Sequence, residues 1–377
     1  MPAVTVRHAT GEYQVHIEPG ILLSLPELLG GALGRRKLVL ITDDIVARYY
    51  DEWTHATPNA RALGARSSDA GIRLRCEARL TFPAGEEHKT RGTWVQLSDQ
   101  MLSQGLDRQT AIVALGGGVV GDLAGFVAAT YLRGVPYAQV PTTLLAMLDA
   151  SVGGKVGVDT SLGKNLIGAF HPPAVVVADP LTLLTLPDRV YRSGLSEAVK
   201  HGLIADAAYF GWIELNARKL LSRDLDALTH LVHRSVEIKA AVVTADERES
   251  GQRAILNAGH TIAHGLELAA QFRLPHGEAV ALGLVAECRI AERMGLAPEG
   301  IGGRVLDLLR ALGLPTRAGT SIPTPRVLEA MLHDKKNSDG EVRLALPAAV
   351  GRMHDAAGRW TVPVPDDLLA DAVAGLA

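Results

Sequence analysis

Short apolar runs alternate with amphipathic stretches through the first half of the chain. Runs of strand length fall at Val4–Arg7, Tyr13–Ile17, Lys37–Thr42, Ala78–Phe82, Ala111–Leu115, Tyr137–Pro141 and Val175–Asp179. Between several of them the period lengthens to that of a helix, as in Thr90 to Gly105 and Gly121 to Tyr131. Strands alternating with helices predict a mostly parallel sheet covered on both faces. After Pro180 the texture changes: strand runs nearly vanish and long amphipathic patterns take over, at Tyr209–Leu221, Leu225–Ala245 and Ile255–Phe272. The expected architecture is an α/β domain over 1–180 and an α-helical domain over 181–377, with the boundary near Asp179–Pro187. One late run, Val342–Pro347, reads as a short hairpin strand. Thr54 to Gly71, rich in Ala, Arg, Ser and Gly, carries little apolar periodicity and reads as a surface loop.

Length and composition narrow the class. A chain of 377 residues can bury two separate cores. Its net charge of −3 gives no reason to expect nucleic acid or an anionic membrane surface as partner. The two cysteines, Cys76 and Cys288, match no metal or redox spacing, so a reducing, cytoplasmic setting is expected. The N-terminus lacks the apolar core of a signal peptide. Ala111 to Leu132 is long and apolar enough to suggest a membrane span, but its five glycines and Asp122 favour a buried strand, turn and helix.

Three segments carry chemistry. Ala146 to Phe170 sets Lys155 and Lys164 among five glycines, with Asp149, Asp159 and Asn165 close by. Ammonium groups in a glycine-rich, apolar frame suit an anionic ligand; taken alone, the same stretch could be a loop with solvated lysines. Upstream, the Ala111–Leu115 run leads through Gly116-Gly117-Gly118-Val119-Val120-Gly121-Asp122 into a helical pattern. A strand passing through glycines into a helix brings backbone N–H groups to a pyrophosphate. The spacing is not G-x-G-x-x-G, so the usual dinucleotide fingerprint is absent. Downstream, Arg253, Asn257, His260, His264 and Glu267 recur at steps of four, three, four and three, which places them on one face of a single helix. Three histidines between His260 and His276, with a carboxylate from elsewhere, fit a nitrogen and oxygen site for zinc. Spacing alone leaves open which two bind metal. The absence of H-E-x-x-H argues against a metalloprotease.

The chain resembles the 3-dehydroquinate synthase family within the sugar-phosphate cyclases. The resemblance rests on GGGVVGDLAGFVAATYLRGV, QVPTTLLAMLDASVGGKVGVDTSLGKNLIGAF, SGLSEAVKHGLI, ADERESGQRAILNAGHTIAHGLE, HGEAVALG and HDKKNSDGEVRLALP, in this order along nearly the whole chain. It implies a Rossmann-like NAD-binding α/β domain, an all-α C-terminal domain and an active site in the cleft between them. It implies Glu197, His260 and His276 as ligands of one divalent metal, Zn or Co. For NAD it implies Asp43 or Asp44, Glu86, Lys89, Gly117, Gly118, Val119, Asp122, Thr142 and Thr143, with Lys155 and Lys164 adjoining and the stretch from Thr182 to Thr185 closing the site. Substrate contacts carry over to Asp149, Lys155, Lys164, Asn165, Lys200, Lys239, Arg253, Asn257, His264 and Lys335. Arg133 matches a residue that family members offer across a homodimer interface to the substrate phosphate. Val156 departs from the family's commoner GGKT.

The implied reaction turns a seven-carbon keto-acid sugar phosphate, 3-deoxy-D-arabino-heptulosonate 7-phosphate, into 3-dehydroquinate and phosphate. It runs by transient oxidation, β-elimination, re-reduction and aldol closure. A substrate with a phosphate and a carboxylate matches a lysine- and arginine-rich pocket. Two other readings carry different expectations: a second type of sugar-phosphate cyclase would alter the substrate-facing lysines and asparagines. A metal-dependent polyol dehydrogenase of the glycerol dehydrogenase type would release NADH.

Overall fold

A computed structural model describes residues 2–50, 74–160, 163–318, 322–332 and 341–376. The Thr54–Gly71 stretch and Lys335 therefore lie outside the described residues. The chain divides into two compact units, Met1–Leu186 and Pro187–Ala377.

In the first unit all seven apolar runs become strands of one sheet: β1 (Val4–His8), β2 (Gly11–Ile17), β3 (Lys37–Asp43), β4 (Ala78–Phe82), β5 (Thr110–Gly116), β6 (Tyr137–Pro141) and, after an intervening hairpin, β9 (Val175–Ala178). Their order is β1-β2-β9-β6-β5-β3-β4. β1 and β2 pair antiparallel and the other pairs are parallel. β5 is buried at every residue, as expected for a strand covered on both faces. On one face pack α3 (Arg91–Ser103) and α4 (Gly118–Thr130), sharing a core with Leu97, Met101, Leu123 and Val127. On the other lie α1 (Leu25–Leu33) and α2 (Asp44–Tyr50), with Leu25, Leu29 and Tyr50 against Val113 and Val177. The chain passes from β3 outward to β4, then returns to β5 on the other side of β3. This reversal puts the carboxyl ends of β3 and β5 side by side, with Thr42 in register with Leu115. In open α/β sheets ligands bind at such a switch point.

The hairpin was absent from the strand pattern. β7 (Lys155–Thr160) and β8 (Gly163–Phe170) pair antiparallel within the lysine- and glycine-rich segment. Its glycines have a packing reason: a Cβ on Gly168 would stand 2.2 Å from the Val156 carbonyl oxygen, and one on Gly157 would stand 2.6 Å from that of Ile167. Side chains there would force the strands apart.

The second unit holds α5 (Asp188–Ala205), α6 (Ala207–Leu221), α7 (Leu225–Ala245), α8 (His260–Ala269), α9 (His276–Arg293), α10 (Ile301–Ala311), α11 (Thr324–Leu332) and α12 (Asp366–Ala374). Asp206 and Asp224 punctuate the helical run: each side chain accepts a backbone N–H three residues on and starts a new helix. α9 is buried on almost every side, the mark of a central helix. The Val342–Pro347 run divides between two small ladders: Arg343–Leu344 pairs with Val362–Pro363, and Pro347–Ala349 with Arg352–Met353. The short strand expected in this run is thus present as two small pieces within an otherwise helical unit. Among the described residues no helix is long and apolar enough to cross a membrane; Ala111–Leu132 divides into β5 and α4.

Candidate functional site

In the first unit the glycine turn sits at the switch point. β5 ends at Gly116, Gly117 precedes α4, and no side chain caps the first turn of that helix. Its N–H groups are therefore positioned to meet an anion. A Cβ on Gly117 would come within 3.1 Å of Thr143, and one on Gly118 within 3.3 Å of Ala150, so the turn lies close against the segment after β6. Thr142, at that segment's start, buries a hydroxyl that has no hydrogen-bond partner in the protein. Thr143 accepts the N–H of Ala146 at 3.2 Å. Gly121 and Gly125 do different work, bringing α4 against Gln139, Val156 and Tyr137. At the end of β3, Asp43 caps α2 by accepting from Ile45 and Val46, while Asp44 accepts the N–H of Ala84 at 2.8 Å. Uncapped amides, a glycine cradle and an orphaned hydroxyl at a switch point together fit a dinucleotide.

Beside this turn lies a charge network. The ammonium of Lys89, buried at 3% exposure, donates to Asp122 Oδ2 at 2.6 Å and to Asn165 Oδ1 at 2.6 Å, with Glu86 at 3.9 Å. Burial opposes its charge, but Asp122, Glu86 and Asp159 outweigh that, and its pKa rises above the usual lysine value. Lys164 stands 3.5 Å from Glu86. Asp159 accepts the N–H of Asn165, a residue at φ 55° that its own side-chain bond to Lys89 helps hold. Burial pushes the Asp159 carboxyl up to about 6, against the pull of Lys89. Five residues expected from the resemblance (Glu86, Lys89, Asp122, Lys164 and Asn165) thus meet in one place. Asp122 faces Lys89 and does not cap α4. Asp159 joins them as a sixth.

Other expected residues of this unit are placed individually. Asp149 is half-buried in the turn Ala146–Ala150, and Lys155 opens β7 with an exposed side chain. Thr182 and Thr185 donate to the carbonyls of Asp179 and Thr182, each at 2.8 Å, within the turn Pro180–Thr185. Arg133 is exposed at φ 68°, between Leu132 at 48° and Gly134 at 116°. Two consecutive left-handed non-glycine residues are costly.

In the second unit Glu197, Lys200, His260, His264, Glu267 and His276 gather around α5, α8 and α9. The Glu197 side chain is fully buried. Its Oε2 contacts the ammonium of Lys200, buried at 1% exposure, and its Oε1 lies 3.5 Å from His260 Nε2 and 3.7 Å from His276 Nε2. Ligands held about 2.0–2.2 Å from a tetrahedral ion stand about 3.3–3.6 Å apart, so these separations suit one metal. The histidines are oriented for it. His260 Nδ1 lies 3.1 Å from the Ala258 carbonyl, and His276 Nδ1 lies 3.3 Å from Glu267 Oε2. Each Nδ1 can donate its proton there, leaving Nε2 as a lone pair toward Glu197. Without a metal, burial would lower the His276 pKa, but Glu267 and Glu197 overcome it and push it up to about 10. Two carboxylates thus face this imidazole, one on each side.

One expectation is corrected here. Arg253 to Glu267 is not a single helix. Gln252–Asn257 forms a tight turn, the chain breaks at Ala258-Gly259, and α8 begins at His260. Gly259 takes φ 79°, its N–H donates to Glu287 at 2.6 Å, and a Cβ there would meet Leu284 of α9 at 2.9 Å. Packing against α9 interrupts the helix, so the face at helical spacing keeps only His260, His264 and Glu267. Arg253, buried, donates to the Glu247 carbonyl and, through its backbone N–H, to Asp246; Asn257 donates to Glu249 at 2.5 Å. Lys239 is buried on α7.

Comparison with known proteins decides the family. Residues 79–193 match the family model described as 3-dehydroquinate synthase N-terminal, and residues 194–337 match 3-dehydroquinate synthase C-terminal. The chain is 44% identical over 353 residues to the 3-dehydroquinate synthase of Pelotomaculum thermopropionicum, covering 93% of this chain and 92% of that protein. It belongs to the 3-dehydroquinate synthase family. The fold is also that of other cyclases. A 2-deoxy-scyllo-inosose synthase complexed with carbaglucose-6-phosphate, NAD+ and Co2+ superposes with TM-score 0.85 at 28% identity, covering both chains fully. The 2-epi-5-epi-valiolone synthase ValA from Streptomyces hygroscopicus, with NAD+ and Zn2+ bound, superposes with TM-score 0.83 at 29% identity over 100% of this chain and 99% of that one.

Within the 3-dehydroquinate synthase family, Val156 now has a physical account. It is buried in the core against α4, where a Cβ on Gly125 would come within 2.4 Å of it. Lys200, which sequence alone could not tell from a surface lysine, is buried against Glu197. Sequence reasoning placed Glu267 on the polar helix face and Asp159 beside the two lysines without giving either a role, and it did not single out Glu287. Asp159 and Glu267 lay inside the quoted blocks, and the step of seven from His260 to Glu267 was the available signal; Glu287 carried none.

Proposed function

We propose that this chain converts 3-deoxy-D-arabino-heptulosonate 7-phosphate into 3-dehydroquinate and phosphate, using NAD catalytically and one divalent ion, Zn or Co. The observation that carries the reading is the buried Glu197, with two imidazole nitrogens at tetrahedral separations, in a chain of this family. The ion would be held by Glu197, His260 and His276. NAD would lie along the Gly117–Gly118 turn, with Val119, Thr142, Thr143 and Asp44 around it and Thr182 and Thr185 beyond. When bound, NAD would supply a reversible hydride acceptor and the ion a Lewis acid for the oxygen of the carbon being oxidised.

The chain's own residues supply recognition and proton placement. Lys155, Lys164, Lys239, Arg253 and Lys335 offer cations to a doubly anionic substrate, and Asn165 and Asn257 offer neutral donors. Several of these groups already hold internal acceptors. An anion would compete with Glu86 for Lys164, with the Glu247 carbonyl for Arg253 and with Glu249 for Asn257. Competition of this kind favours ligands of high negative charge over neutral polyols. Lys200 offsets the charge of Glu197. His264, half-buried with its ring edge-on to His260 at 5.8 Å, can hold a proton beside the site, and Asp149 can orient a hydroxyl. Arg133, exposed and held in a strained conformation, would serve the substrate phosphate of a second copy in a homodimer.

The test is phosphate release from this substrate by metal-loaded protein with catalytic NAD+, with product identification and absorbance for NADH. Stoichiometric phosphate and 3-dehydroquinate, no accumulated NADH and loss of activity to a chelator support the reading. NADH release from other alcohols without phosphate would replace it with a dehydrogenase. For Arg133, sedimentation gives the oligomeric state. Mixing Arg133→Ala with a His264→Ala protein should restore activity only if the arginine acts across the dimer.

A further inference from the structure

The ligand set leaves one buried carboxylate facing the site without a task. Glu267, on α8, is 1% exposed, and its Oε2 lies 3.3 Å from His276 Nδ1. On its other side the same ring turns Nε2 toward Glu197 Oε1, at 3.7 Å. His276 starts α9, so Glu267 reaches across from one helix to fix a side chain on the next. The two histidines are held unequally. His260 leans on a neutral backbone carbonyl, that of Ala258, within its own segment. His276 leans on a carboxylate, a stronger acceptor that makes the opposite nitrogen a better electron donor. A buried carboxylate is a poor choice for stability alone, since desolvation opposes it.

We propose that Glu267 is a positioning residue: it holds His276 in the Nδ1-protonated tautomer, aims Nε2 at the ion and strengthens the bond His276 makes to it. This rests on the reading of Glu197, His260 and His276 as metal ligands. A rival arrangement exists, because ligand atoms of His264, Glu267 and His276 also lie within 4.8 Å of one another. In that case Glu267 would itself be a ligand of a second cation.

The experiment measures Zn2+ binding by the full-length protein in competition with a chromogenic chelator, for wild type, Glu267→Gln and Glu267→Leu. Stoichiometry and melting of the metal-free proteins are read alongside. The expected result is one equivalent of zinc in all three proteins. Affinity falls about 10- to 100-fold in Glu267→Leu and less in Glu267→Gln, whose amide oxygen still accepts from Nδ1. Metal-free Glu267→Leu melts at or above the wild-type temperature, and the visible bands of its Co2+ form shift. Unchanged zinc affinity in Glu267→Leu overturns the proposal. So does a weakened affinity matched by a lowered melting temperature, which marks a structural role. A second zinc equivalent in wild type that Glu267→Gln loses makes Glu267 a ligand and also overturns it. No zinc binding by wild type removes the underlying metal reading, a result distinct from all of these.

Discussion

Each unit buries a lysine among carboxylates, yet the two clusters are centred on groups of opposite charge. In the first unit Lys89 is the centre, and Asp122, Asn165, Glu86 and Asp159 surround it. Its ammonium donates at 2.6 Å to both Asp122 and Asn165, which ties α4 to the β7–β8 hairpin. In the second unit Glu197 is the centre, and its Oε2 contacts the ammonium of Lys200. The other oxygen faces two imidazoles, and Glu267 adds a further negative charge behind one of them. These two carboxylates raise the His276 pKa to about 10 against the effect of burial. The first cluster is centred on a cation held by acceptors, whereas the second brings a carboxylate and two imidazoles to the separations of a candidate metal site.

The contrast can be broken most severely at Glu197. Glu197→Gln should lower turnover at least about 1000-fold and abolish tight zinc binding, while leaving Lys200 buried without its counter-charge, at about 3–5 kcal/mol in stability. Glu86→Gln, by comparison, leaves Lys89 with Asp122 and Asn165 and should cost under about 1 kcal/mol. Denaturant melts of the two metal-free variants and one activity assay decide this; equal losses would erase the distinction. Next in size is Lys89→Met, which removes the cation at the centre of the first network and should destabilise by about 3 kcal/mol without altering zinc affinity. A change in zinc binding would show that the two clusters are not independent.

Gly283→Ala probes the framework of the second cluster. Its Cβ would stand 2.0 Å from the Gly259 carbonyl oxygen, so α9 must move away from the turn that presents His260. A loss of about 1–3 kcal/mol in thermal melts is expected, with weaker zinc binding.

The smallest effect is a pH dependence in the first network. The folded-state pKa of Asp159 is raised, so its contribution favours folding fully below about 4 and is lost as pH rises through about 6. Asp159→Asn should therefore match wild type or exceed it slightly in stability at pH 7.5. It should lose that margin by pH 4, the difference staying under about 1 kcal/mol because water screens a half-buried group. A variant less stable than wild type at pH 7.5 would mean that the ionised carboxylate supports Lys89 more than burial opposes it.

Residues expected from the family resemblance came together in each cluster, but the sequence was less informative about how they are joined. Lys89, Asp122 and Asn165 lie 33 and 76 positions apart, and no local pattern pairs them. The Arg253–Glu267 spacing looked like one helical face because periodicity is blind to a break that costs a single glycine. The β7–β8 hairpin was hidden for a related reason: its glycines erase the alternation by which a strand is recognised.

By itself, the sequence determined what depends on neighbours along the chain: the seven strands of the sheet, the long helices α6 and α7, and the residue types that mark the family. Local alternation and capping are enough for these, because each is decided within a few residues. Only the tertiary structure decided which strands adjoin, that the chain breaks at Gly259 before α8, and that Lys200 and Glu267 are buried. These depend on close packing and on desolvation, which arise only when distant segments exclude water from one another.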